Sequence, residues 1–148
     1  MPRLPALLFA CAALAAGTAA RAAQTTWLTI MGDPSDAASD VVQIEPESVV
    51  VFSNLRTIRI RVSRAHPRKG YDERPYRGFI GAVHIDCANA TARYRQLQLF
   101  SGPLWTGASR VVNYTDAAMP PMAFRDIEPN PTARIVQAAC TIDRVQTK

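Results

Sequence analysis

Residues 56–64 read Arg-Thr-Ile-Arg-Ile-Arg-Val-Ser-Arg, and the order of those side chains decides the fold. Ile58, Ile60 and Val62 alternate with Thr57, Arg59, Arg61 and Ser63, the period of two that sends successive side chains to opposite faces of a β-strand. One face therefore lies on a core and the other offers arginines to water. Such a strand needs partners, and the chain supplies them on both sides. Trp27–Gly32 and Val41–Glu45 precede it, the latter continued by Val49–Phe52 beyond a turn at Pro46–Ser48. Gly78–Asp86, Tyr94–Phe100 and Leu104–Tyr114 follow, separated by short runs of turn residues. Ala65–Tyr76, rich in proline, glycine and charge, reads as a long loop free to make contacts.

Beyond a proline-broken connection at Asp116–Asp126, the apolar period changes from two to 3.6. Asn130 suits an N-cap and Pro131 a first helical position. Ile135, Val136, Ala139, Cys140 and Ile142 then share one arc, with Arg134, Gln137, Ala138 and Thr141 opposite. A helix this short is not stable alone in water, and the sheet is the only apolar surface it can lie on. The expected fold is α+β: an antiparallel sheet of about six strands with a C-terminal helix packed on one face.

The first residues differ from everything after them. Arg3 opens a basic end, Leu4–Gly17 is apolar, and Ala20-Arg21-Ala22 fits a small-x-small cleavage site. Residues 1–22 are expected to be a signal peptide, and 23–148 a single domain. The apolar run falls short of the roughly 20 residues that span a membrane, and no later segment approaches it. Leu8–Cys11 loosely fits a lipoprotein box, but the apolar run continues past Cys11 and little of it precedes, so lipidation is the less favoured reading. Export leaves Cys87 and Cys140 as an even pair in an oxidising compartment, where a disulfide is expected. A redox pair would more often sit close in sequence, and a metal site wants more ligands than two cysteines and two distant histidines.

Without its leader the chain has 15 basic and 12 acidic residues, net +3, unevenly spread. Arg56–Arg95 holds ten basic and three acidic residues. Arg59, Arg61 and Arg64 on the strand, with Arg68, Lys69, Arg74 and Arg77 beyond it and Tyr71 and Tyr76 interleaved, form the candidate partner-binding set. It suits an acidic protein or an anionic polysaccharide. Nucleic acid is not an expected partner of an exported chain.

Little points to catalysis. His84 and Asp86 share a strand face, but a polar pair beside a disulfide needs no chemistry to explain it, and His66 lies in a charged loop. No nucleophile triad, zinc motif or phosphate loop is present. No catalytic residue, metal or cofactor is expected. The glycosylation sequons at Asn89 and Asn113 matter only in a eukaryotic host.

The Trp27 strand, the segment Ile44-Glu-Pro-Glu-Ser-Val49, the strand end Ile85-Asp86-Cys87 and the run from Phe124 to Cys140 together resemble the bacterial surface-adhesin protein E family over nearly the whole exported chain. The resemblance implies an antiparallel sheet with a disulfide-tethered C-terminal helix. It also implies a binding role like that of the founding member, a surface lipoprotein adhesin for host matrix and serum proteins. Glu45 stands where the family often has Asp, and Phe124 where it has Trp. The poor lipoprotein box favours the periplasm or secretion over a surface anchor. The expectation is an exported, non-enzymatic binding domain whose partner is a host-matrix or envelope protein or an anionic polysaccharide. Its oligomeric state stays open, a dimer included. The rival readings are a periplasmic small-ligand or sensor domain and a small periplasmic enzyme.

Overall fold

The computed structural model describes residues 26–142, so the expected leader with Cys11, and residues 143–148, lie outside the described residues. Six strands form one antiparallel sheet in chain order: β1 (Leu28–Met31), β2 (Val41–Phe52), β3 (Leu55–Lys69), β4 (Pro75–Asp86), β5 (Thr91–Phe100) and β6 (Ser109–Asn113). One helix, α1 (Thr132–Cys140), closes the fold. The expected architecture is the observed one.

The alternation in β3 sets the layers. Ile58, Ile60 and Val62 face Val83, Gly81 and Phe79 of β4, while Ile60 and Val62 face Ile44 and Val42 of β2. Tyr94, Leu97 and Leu99 of β5 continue this inner face. Ile135, Val136 and Ala139 of α1 cover it, joined by Met122, Phe124 and Ile127 of the preceding connection, and all are buried. The arc read from the sequence is thus the buried one. The helix starts one residue later than expected, at Thr132 with Pro131 in the N-cap position, and Asn130 Oδ1, just ahead of it, accepts a hydrogen bond from the Thr132 N–H at 2.9 Å. The disulfide joins Cys87, just past β4, to Cys140 at the helix end.

Two segments differ from expectation. Ala65–Tyr76 is not a long loop, because β3 runs on to Lys69 and β4 begins at Pro75. The turn between them is closed by the Gly70 N–H on Arg74 O at 2.9 Å and the Glu73 N–H on Gly70 O at 3.0 Å. Pro67 is accommodated where the pairing register shifts between Ser63 and Arg68, so no regular ladder bond is lost to its missing N–H.

Leu104–Ala108 is likewise a turn and not the start of β6. Leu104 and Trp105 take positive φ of 48° and 61°, and Gly107 takes 78°. Three anchors draw this turn back over the outer face. The Leu104 N–H donates to Ser63 Oγ at 2.8 Å, and Trp105 Nε1–H donates to Val62 O at 3.1 Å and Phe79 O at 3.2 Å. Gly78 leaves room for it: a Cβ there would lie 3.0 Å from Val62 O and 3.6 Å from Trp105 Cδ1.

Candidate functional site

The basic residues of β3 and the hairpin do not form one surface. Arg59 and Arg61 lie on the outer face, but not simply in water. Arg61 stacks between Trp27 and Trp105, its guanidinium carbon 4.5 Å and 4.0 Å from the two ring centroids. Its Nε–H donates to Gln43 Oε1 at 2.6 Å, and Gln43 donates in turn to Thr29 Oγ1 at 2.9 Å. Desolvation between the rings lowers the Arg61 pKa from its ordinary value, partly offset by the Glu45 carboxylate. Arg59 pairs with Glu45 at 2.8 Å and remains half exposed. This corrects the expectation of a face of free arginines: two indoles and a polar ladder cover its β2–β3 portion, which is why five successive residues, Val41–Glu45, are buried.

Arg64 lies across the sheet from them. It has the parity of Ile58, Ile60 and Val62, and it is buried, only 4 % exposed. Its Nε forms an ion pair with Asp40 at 3.0 Å without hydrogen-bond alignment, and its Nη2 has no hydrogen-bond partner among the described residues. Arg64 lines a cleft of about 430 Å³ at the hairpin end of the inner face. Tyr71, Tyr76, Phe79 and Tyr94 supply aromatic walls, and Leu97, Leu99 and the 123–126 segment complete it. Phe79 stacks edge-on against Tyr94 at 5.5 Å between centroids. Burial pushes the Tyr76 and Tyr94 phenols up, Tyr94 well above its ordinary value, so both remain neutral at physiological pH.

The other four predicted residues divide again. Arg68 and Lys69 sit on the cleft rim, Arg68 in a loose 3.8 Å pair with Asp126. Arg74 is exposed at the hairpin turn beside Asp72, at 3.3 Å. Arg77 is a structural clamp, with its guanidinium donating to the carbonyls of Ala37, Arg64 and Ala65. The turn itself is tied to β6. Arg110 forms a two-pronged pair with Asp72, Nε to Oδ2 at 2.7 Å and Nη2 to Oδ1 at 2.9 Å, and also holds the carbonyls of Arg74 and Pro75. That pairing pulls the Asp72 carboxyl far below the usual carboxylate range.

The sequence reading missed Trp27, Trp105 and the aromatic cleft. Strand parity was the available signal, since extending the β3 alternation by one step puts Arg64 inside.

His84 and Asp86 form no reactive pair. Asp86 closes the β4–β5 turn, accepting from the Ala88 and Asn89 N–H groups at 3.0 Å and 3.2 Å and from Asn89 Nδ2 at 2.6 Å. The Asn89 bonds lower its pKa. Among the described residues no group of three or more His, Cys, Asp or Glu side chains could hold a metal ion, and no helix is long and apolar enough to cross a membrane.

A six-stranded meander backed by one disulfide-tethered helix, with a basic hairpin and an aromatic cleft at one end, defines a small α+β domain whose distinctive surfaces suit binding. The family model described as surface-adhesin protein E matches residues 27–141, and the chain belongs to that family. Neither the curated proteins nor the solved structures include a significant match.

Proposed function

We propose that this chain is an exported, non-enzymatic binding domain that meets an acidic protein or an anionic polysaccharide through the β3–β4 hairpin. Membership of a surface-adhesin family supports the binding role. The observation that carries the choice of surface is that Lys69 and Arg74 are exposed at the hairpin end, with Arg68 half-buried beside them and its Nε turned away from solvent. Arg61, Arg64 and Arg77 are engaged within the fold and drop out of the contact set. Arg59, half exposed over Glu45, is a secondary contact. Cleavage after residue 22 delivers the domain to the periplasm or the medium.

Charge-led recognition of this kind weakens as salt screens it over a Debye length of about 8 Å at physiological ionic strength. The test is binding of the purified domain to immobilised heparin and to matrix proteins across a salt series. Retention at low salt that falls steeply with added salt is the expected result. No retention at low salt, or retention indifferent to salt, contradicts the proposal.

A further inference from the structure

The cleft behind the hairpin has features that a solvated basic surface does not require. A buried guanidinium nitrogen without a partner is costly unless something completes its hydrogen bonding. Arg64 Nη2 is such an atom, in a residue lining the cleft, while the Asp40 carboxylate is taken up at Nε. Around it the charge stays in excess of cation: Arg64, Arg68, Lys69 and Arg125 against Glu73 and Asp126. The lining is mixed, with aromatic and aliphatic side chains beside the charged ones. The apolar part is made by the rings of Tyr71, Tyr76, Phe79 and Tyr94, with Leu97 and Leu99. A cavity of about 430 Å³ is in the size range of small-molecule sites, which combine apolar walls with a few placed polar groups.

We propose that this cleft binds a small aryl or arylalkyl carboxylate. Its carboxylate completes the hydrogen bonding of the Arg64 guanidinium, and its ring lies among the tyrosines. Charge-assisted bonds to a guanidinium are stronger than neutral ones, and the neutral phenols of Tyr76 and Tyr94 do not repel the anion. Arg68 and Lys69 border this site as well as the hairpin surface, but its anchor is Arg64, which the polyanion contact set does not use, so the site stands whether or not the domain binds polyanions.

The test uses 3-phenylpropionate as probe and its neutral amide as control, followed by ¹H–¹⁵N NMR of the whole exported domain, including the arginine Nε–H signals. The acid is expected to give saturable shifts at Arg64, Tyr71 and Phe124, and the amide to bind about tenfold more weakly or worse, because it leaves the guanidinium without its anion. Substituting Arg64 risks the fold through the loss of its pair with Asp40. Ala123→Trp is the better variant, because Ala123 is exposed and lines the cleft, so the indole fills the space from outside. A folded Ala123→Trp domain that loses the acid while keeping salt-sensitive heparin retention supports the site. The proposal is overturned by acid shifts that persist in that variant, by equal binding of acid and amide, or by no saturable shift at millimolar acid.

Discussion

Arg59, Arg61 and Arg64 look alike in sequence and do three different things. Arg59 is a half-exposed ion-pair partner, Arg61 the filling between two indoles, and Arg64 a buried cation on the opposite face. Alternation was legible, and it separates Arg64 from the other two. What covers the outer face was not, because Trp27 and Trp105 arrive from segments distant in sequence, and Trp105 does so through a turn with left-handed backbone. Arg61→Ala should lower stability by about 1–2 kcal/mol, the worth of a partly desolvated cation–π stack with its alkyl packing. Urea unfolding followed by tryptophan emission measures this, and the native emission should shift to the red as the indoles gain water. The Asp72–Arg110 pair gives a pH prediction. Its folded carboxyl is depressed below the unfolded value, so its contribution is fully present above the unfolded pKa and declines as pH falls through and below that range. The protection of the 70–74 amides, taken relative to the intrinsic exchange rate at each pH, should therefore hold from neutral pH down to the ordinary carboxylate range and fall below it in the wild type. Asp72→Asn should show that lower protection already at neutral pH.

At the scale of elements, the helix was the most legible part. Its start to within one residue, its buried arc and its cysteine were all readable because each is a local property, and the structure places Ile135, Ala139 and Cys140 accordingly. The hairpin was the least legible. A run of Pro67, Gly70 and five charged residues matches loop composition, yet strand pairing continues through it. The register shift absorbs the proline, and the charged side chains find solvent, rim or Arg110. The disulfide closes a separation of 53 residues, worth about 4 kcal/mol in the chain-entropy account. Cys87→Ser and Cys140→Ser should lower stability by similar amounts, and the double variant should be little worse than either, since one bond is lost in all three. Denaturant midpoints of the three variants test this. A double variant far less stable than the singles would mean that the two sulfurs act separately.

For the whole molecule, the sequence carried the layer order, the helix position and the pairing of the cysteines. It left the site partly hidden because sites are assembled from non-local parts: the cleft draws on β3, β4, β5 and the 123–126 segment. Net charge was readable but its location was not, since three of the seven predicted cations are occupied inside the fold. The central claim is that position, and not charge alone, directs the domain to acidic partners. The most direct measurement is the salt concentration needed to elute Lys69→Glu and Arg134→Glu from immobilised heparin, beside the wild type. Both residues are exposed and both substitutions change net charge equally, but Lys69 is on the hairpin and Arg134 on the helix. The account predicts that Lys69→Glu elutes at clearly lower salt while Arg134→Glu stays close to wild type. Equal losses in the two variants would contradict it, because binding would then follow total charge and not the hairpin.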